Sequence, residues 1–227
     1  MSSRLLLGLC LACALSLPAF AAGPRTITMT GHGEIKAVPD IATVNAGVTT
    51  TAQTAAAALS ANSTRMNQVF DALKKLGIPD RNIQTANFSI SPQFNMGVSS
   101  DSHHITGYQV NNEVSVRLTD VKRAGSVLDT LAGAGANQMN GISFDIATPA
   151  PLLEKARAQA VSDARARAQT YSKAAGVALG QIISISEGGG EIQPRPMNRI
   201  MAMAAPTPVA PGEQSVTADV TVVWEIH

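Results

Sequence analysis

GYQVNNEVSVRLTD, residues 107–120, carries the clearest strand pattern in this sequence. Apolar and polar side chains take turns along it, and a period of two with one apolar face is typical of a half-buried β-strand. One face is therefore expected to line a core, and it holds Tyr108, Val110, Val114, Val116 and Leu118.

Period-two patterns predict six more strands, near 25–35, 40–50, 82–94, 140–148, 179–189 and 215–226. Five of them show an apolar face. The residues predicted to face inward are Ile27 and Met29; Ala42, Val44, Ala46 and Val48; Ala86, Phe88 and Ile90; Ile142, Phe144 and Ile146; and Val216, Ala218, Val220, Val222, Trp224 and Ile226.

Three stretches show the three-to-four-residue spacing of amphipathic helices. The first ends at Lys74 and Lys75, before a left-handed Gly77 and Pro79, and the second follows an N-cap at Asp120. The predicted inward stripes are Leu59, Ser63, Met66, Phe70 and Leu73; Val121, Ala124, Leu128 and Leu131; and Leu153, Ala156, Ala160, Ala164, Ala168, Tyr171 and Ala175. Asp163 and Arg167, four apart on the third helix, are expected to pair.

The predicted order is β-β-α-β followed by β-α-β-α-β-β, with a faint internal echo of strand, helix, glycine turn and strand. This favours an α+β fold in which two related β-α-β units form layered antiparallel sheets, with helices packed on one face. An inner α/β subdomain is expected at about 105–178, with the remainder forming the other unit. The order is not a βαβαβ series, which argues against a doubly wound nucleotide-binding fold.

The N-terminus reads as a secretory signal peptide over residues 1–21. Arg4 precedes an apolar run over 5–17, and Pro18 and Ala19-Phe20-Ala21 follow it. Cleavage is expected after Ala21, with Ala22 as the neighbouring choice, which leaves a mature chain over 22–227. Cys10 and Cys13 leave with the signal, so the exported chain has no thiol for disulfides, thiolate metal sites or cysteine redox chemistry.

The charge of the mature chain argues against two kinds of partner. Only Arg4 of the 17 Lys and Arg precedes residue 22, so 16 basic residues balance 16 acidic ones. Without a basic field, neither nucleic acid nor an anionic membrane is an expected partner. No other apolar run approaches the 18 residues that would span a bilayer.

The motifs that could hold a ligand are weak. GHGE at 31–34 and the glycines at 188–190 lack the following helix N-terminus that a phosphate loop needs, so they are interpreted as turn and linker glycines. His103 and His104, near Asp101, could bind a metal, but a solvated loop pair is the simpler interpretation. No catalytic, cofactor-binding or metal-binding residue is predicted, and His32 and His227 stand alone.

A long proline-rich stretch over 191–212 is expected to form an exposed loop between the last two strands. Two interpretations stay open for it, disorder or contact with a subunit or partner, since exposed methionines suit adaptable contacts. Met197, Met201 and Met203 could also bind copper(I), although copper loops usually have denser methionine spacing.

Several stretches together resemble the SIMPL-domain family, formerly a domain of unknown function, whose bacterial members include periplasmic immunogenic and oxidative-stress-defence proteins. The most specific are GYQV at 107–110 and DARARAQTYSKAAG at 163–176. The others are PDIATVNAGV, IQTANFSISPQF, GISFDI and PGEQSVTADVTVVWEI, in order along the mature chain.

This resemblance implies a periplasmic α+β protein that forms a homo-oligomer and is linked to envelope integrity or oxidative stress defence. It carries no catalytic residues and no cofactor to transfer. The expected function is therefore non-enzymatic, with association at the envelope and an unknown protein partner. The alternative is a periplasmic module that binds a small ligand or a metal.

Overall fold

The computed structural model describes residues 23–95, 104–188 and 207–227, and the backbone of 192–195. The strands are β1 Thr26–Ala37, β2 Ile41–Ala52, β3 Ile83–Phe94, β4 Ile105–Leu118, β5 Gln138–Asp145, β6 Leu179–Glu187, β7 Ile192–Arg195 and β8 Glu213–Ile226. The helices are α1 Ala55–Lys75, α2 Ala124–Gly133 and α3 Ala150–Ala175. This order confirms the predicted α+β fold and its antiparallel sheets.

The inner sheet has the order β3-β4-β2-β5, with every pair antiparallel. Its chain order of β2-α1-β3 and β4-α2-β5 is the split β-α-β arrangement of ferredoxin-like folds. The two predicted echo units therefore interleave, because each sends its second strand to pair beside the other unit's first strand. The inner sheet draws its strands from 41–145, and the predicted subdomain over about 105–178 stays a prediction.

The terminal sheet has the order β1-β8-β6, and the short β7 extends it beside the start of β8. It joins the first strand of the fold to the last, because β1 pairs antiparallel with β8 from Thr26 opposite Glu225 to Ala37 opposite Gln214. A hydrogen bond from Gln214 Nε2 to the Phe144 carbonyl links β8 to β5 of the inner sheet.

The larger core lies between the inner sheet and the helices α1 and α2. Met66, Leu73 and the predicted inward face of β2 are fully buried there. The predicted stripe on α1 is wrong at Leu59 and Ser63, which are exposed. Ala58 and Asn62 are buried instead. The small alanine lets the helix approach β2, and the Asn62 amide donates to the Val48 carbonyl of that strand.

The smaller core lies between α3 and the strands β1 and β8, around Trp224. The alanine stripe of α3 is confirmed, and the members that are fully buried are Ala156, Ala160, Ala164 and Ala168. The stripe is wrong at Tyr171 and Ala175, which are exposed, because the buried row continues at a spacing of four to Ser172.

Gly31 and Gly33 are not turn glycines, which corrects the interpretation of the GHGE motif. Both are buried in the middle of β1, where a Cβ atom would collide with the backbone of α3. At Gly31 that Cβ would also lie 2.8 Å from Ala164 Cβ. Glycine here lets a strand backbone lie directly against a helix backbone.

The proline-rich stretch is only partly a loop. Residues 192–195 form β7, which pairs with Glu213–Val216 of β8, and an edge position tolerates the proline within it. At the other end, Thr207 donates from Oγ1 to Asp129 Oδ1 of α2 at 2.6 Å, and Val209 packs on the inner core. The expectation of a continuous exposed loop over 191–212 is therefore wrong at 192–195, whereas residues 207–212 lie outside any helix or strand, as expected of a loop.

The predicted signal peptide lies outside the described residues, so its cleavage site stays a prediction. Across the described part of the chain, no helix is both long enough and apolar enough to cross a membrane.

Candidate interaction surface at the sheet edges

Two side chains of α3 bind backbone groups on the outer edge of β1. Asp163 Oδ2 accepts a hydrogen bond of 2.9 Å from the backbone N–H of His32, and Arg167 Nη1 donates to the Thr30 carbonyl at 3.3 Å. Asp163 and Arg167 also form the predicted ion pair, with 2.9 Å between Oδ2 and Nη2. The pair therefore occupies two of the backbone groups that another strand would use.

Asp163 is ionised and held by these contacts. The hydrogen bond from the His32 backbone N–H is the main cause that lowers the pKa of the Asp163 carboxyl below its ordinary value. Burial opposes this effect, and the neighbouring Arg167 lowers the pKa further. The negative charge on this edge is therefore maintained at neutral and mildly acidic pH.

The opposite edge of the terminal sheet is open over β6. Among the described residues no strand pairs with the outer side of β6. Ile182, Ile183 and Ile185 are each about half exposed on this strand. The reason is that α3 packs on β1 and β8 and barely touches β6.

A second open edge is β3, at the border of the inner sheet. The sequence correctly predicts the strand but wrongly predicts that Phe88 and Ile90 are buried. They are 50% and 41% exposed, because α1 covers β2 and β4 and touches little of β3. We call Phe88, Ile90, Phe94 and Ile105 the β3 patch; Phe94 and Ile105 lie opposite each other on β3 and β4.

Phe94, Ile105 and the three isoleucines of β6 are surface residues that the sequence did not predict. Their apolar character suggested core, and a strand pattern does not show whether a helix covers the strand. The one local signal was the stretch IISI at 182–185, in which Ile182 and Ile183 are adjacent and the apolar–polar alternation of a half-buried strand is incomplete.

The histidines do not form a metal centre in the part of the chain that the structure describes. His32 Nδ1 lies 2.9 Å from Asp219 Oδ1 across β1 and β8, and His227 Nε2 lies 3.8 Å from Glu225 Oε2. No group of three or more His, Cys, Asp and Glu converges among these residues. His104 is exposed immediately before β4, whereas His103 and Asp101 lie outside the described residues.

Of the glycines at 188–190 and the methionines considered from the sequence as copper ligands, only Gly188 lies within the described residues. The Gly188 N–H donates to the Asp219 carbonyl at 2.9 Å, so Gly188 closes the end of β6. Gly189, Gly190 and the three methionines proposed for copper, Met197, Met201 and Met203, lie outside the described residues.

A cleft of about 500 Å³ lies between α1 and the start of β3. Its lining is Asn67, Phe70, Asp71, Lys74, Asp80 and Ile83. The two carboxylates and the lysine of this lining sit at an open surface.

The two sheets, their helices and their apolar edges define an α+β protein with a ferredoxin-like inner sheet and exposed surfaces suited to strand or side-chain contact. The chain belongs to the SIMPL family, described as a protein of unknown function (DUF541), whose model matches residues 27–224.

Curated relatives agree with this family membership. The chain is 38% identical over 232 residues to the 26 kDa periplasmic immunogenic protein of Brucella melitensis, across 94% of this chain and 92% of that protein. It is 31% identical to the uncharacterized protein YggE of Edwardsiella ictaluri, across 80% of this chain and 75% of that protein. The YggE protein of Escherichia coli strain K12 is also 31% identical, across 81% and 74%.

Proposed function

We propose that this chain is a periplasmic, non-enzymatic SIMPL protein that associates with copies of itself and supports the cell envelope under oxidative stress. The observation that carries the proposal is that two of the edge strands, β3 and β6, hold half-exposed phenylalanine and isoleucine side chains. Exposed apolar edges of this kind favour pairing with another chain, and proteins usually protect them with charges.

The edges differ in a way that supports selective association. The Asp163–Arg167 pair occupies two backbone groups of β1, whereas β3 and β6 carry half-exposed apolar side chains on edges without a strand partner among the described residues. A contact that joined β3 or β6 to another copy would remove this apolar surface from water. Association through two distinct edges of one protomer could close a ring or extend a filament.

The periplasmic location is proposed from three features. The first 21 residues fit a cleavable signal peptide, a relative that is 38% identical is named as periplasmic, and the predicted mature chain is free of cysteine. Neither name among the relatives above denotes an enzyme, in keeping with a role carried by surfaces.

Light scattering coupled to size-exclusion chromatography on the chain over 22–227 tests self-association. The expected result is a discrete species of several protomers at micromolar concentration. A strictly monomeric species across that range would sink the proposal of self-association. Survival of a deletion strain under peroxide, with and without the restored gene, tests the envelope role separately.

A further inference from the structure

Three arginines from separate parts of the chain line one cleft at the base of the inner sheet. Arg81 lies in the short turn before β3, Arg117 near the end of β4, and Arg123 just before α2. They come together because β3 begins at Ile83 opposite Val116 of β4. We call this cleft, of about 380 Å³, the arginine cleft.

Arg123 has a structural contact that fixes it in the cleft wall. Its Nη2 donates to the Leu76 carbonyl at 2.6 Å, at the C-terminal end of α1. The backbone carbonyls there carry partial negative charge, which a guanidinium neutralises. Arg123 therefore offsets the repulsion that the partial negative charge at the end of α1 would exert on an anion in the cleft.

Arg81 and Arg117 are exposed residues of the cleft lining. Among the described residues neither forms an ion pair, whereas Arg157 pairs with Glu187 and Arg167 pairs with Asp163. The one acidic residue that lines the cleft is Asp120. The cleft lining therefore has three positive charges against one negative charge. The Asp120 carboxylate accepts a hydrogen bond of 3.1 Å from the Lys122 N–H.

We propose that the arginine cleft binds a small soluble molecule through an oxyanion group, either a phosphate or clustered carboxylates. Guanidinium groups recognise both by paired, charge-assisted hydrogen bonds. Ile78 and Leu118 are buried beneath the cleft and give it an apolar floor, and the volume is that of a small-ligand site.

The ligand is a small molecule because the charge is local. The sequence has a formal net charge of +1, so no broad positive field surrounds the chain. Phosphate polymers and anionic membranes need such a field along an extended surface. The cleft instead brings three arginines into one lining.

Titration calorimetry of the chain over 22–227 with inorganic phosphate and with citrate, at low ionic strength, tests the assignment. The expected result is saturable binding of at least one of the two anions with a Kd of about 1 mM or tighter. The double variant Arg81→Gln/Arg117→Gln should weaken that binding by about tenfold or more, while its thermal transition without ligand stays unchanged. Comparing the two probes tells a phosphate site from a carboxylate site.

The matched control is Arg65→Gln/Arg165→Gln, which removes two exposed arginines on α1 and α3 that do not line this cleft. It should bind as the unmodified chain does. No saturable binding of either anion would overturn the proposal. Equal weakening in both double variants would overturn it too, since the effect would then come from net charge. These outcomes are independent of whether the chain self-associates.

Discussion

Asp163, in the middle of helix α3, accepts a hydrogen bond of 2.9 Å from the backbone N–H of His32 on the outer edge of β1. A helix side chain thus takes the place of a neighbouring strand, and Arg167 does the same for the Thr30 carbonyl. Edges left open invite pairing with other chains. With these two groups of β1 occupied and apolar side chains exposed on β3 and β6, association is favoured through the latter two edges.

The contribution of this contact to folding is testable with Asp163→Asn. The variant keeps a similar shape but loses the charge that strengthens the bonds to the His32 N–H and to Arg167. We expect a free energy of unfolding lower by about 1 kcal/mol at neutral pH, measured by urea denaturation. Asp71→Asn, at an exposed position on α1, should change it by less than about 0.5 kcal/mol. Equal losses in both variants would contradict this account.

The same contact predicts a pH dependence with a definite sign. Because the folded-state pKa of Asp163 is lowered, the unfolded chain binds the proton more readily than the native chain does. The stabilisation is fully present above the unfolded-state pKa of about 4 and is lost as the pH falls through the lower folded-state pKa. The stability difference between the unmodified chain and Asp163→Asn should be constant from neutral to mildly acidic pH and shrink below about pH 4. A difference that grew on acidification would refute the assignment.

Gly33→Ala tests the close approach of β1 and α3. The added methyl group would meet the Ala156 carbonyl, which belongs to the helix backbone and cannot rotate away. We expect destabilisation of about 2–3 kcal/mol, seen as a lower thermal midpoint.

Gly133→Ala is the matched control for that change. Gly133 is the last residue of α2, and its added methyl group would meet nothing within 4 Å. Alanine there should stabilise the chain by about 0.5–1 kcal/mol, because it restricts the unfolded backbone and favours helix. Two variants of similar stability would show that the β1–α3 contact yields easily.

Asn62→Ala tests the polar contact within the inner core. The buried Asn62 Nδ2 donates to the Val48 carbonyl at 2.8 Å and approaches the Val110 carbonyl at 3.4 Å. Its removal leaves buried carbonyls without this donor, so we expect a loss of about 2 kcal/mol by urea denaturation. Asn67→Ala, at an exposed position on the same helix, should stay within about 0.5 kcal/mol of the unmodified chain. A neutral result at Asn62 would mean that those carbonyls find other partners.

Lysine substitutions on the open edges test the proposed self-association. Phe88→Lys and Ile185→Lys place a charge within the apolar side chains of β3 and β6, and a charge on an edge strand opposes pairing. Each should shift the light-scattering mass toward the monomer. Val38→Lys, at a 64% exposed position between β1 and β2, should leave the mass unchanged. Assembly that tolerated both edge variants would exclude these edges as the contact.

The sequence predicted most of the elements because their signals are local. The alternation of Val216 to Trp224 and the left-handed stop at Gly77, with φ of 73°, both appear in the structure as predicted. Errors arose where one helix face had to be chosen over its neighbour. Leu59 and Tyr171 look like core residues, yet Ala58 and Ser172 are buried in their place.

The candidate surface was harder to predict than the fold. Phe88 and Ile185 have the character of core residues, and only the reach of α1 and α3 across their sheets leaves them exposed. The arginine cleft has no local signature at all, since Arg81 and Arg117 are far apart in the chain and meet through strand pairing.

Periodicity depends on neighbouring residues, so the helices, every strand except β7 and their order could be predicted from the sequence. Only the tertiary structure shows that Gly33 lies against Ala156 and that Asp163 binds the His32 N–H of β1. It likewise shows that β3 and β6 have no strand partner on their outer sides among the described residues. The physical reason is that burial and edge pairing depend on which surfaces meet, and these surfaces are built from residues more than a hundred positions apart.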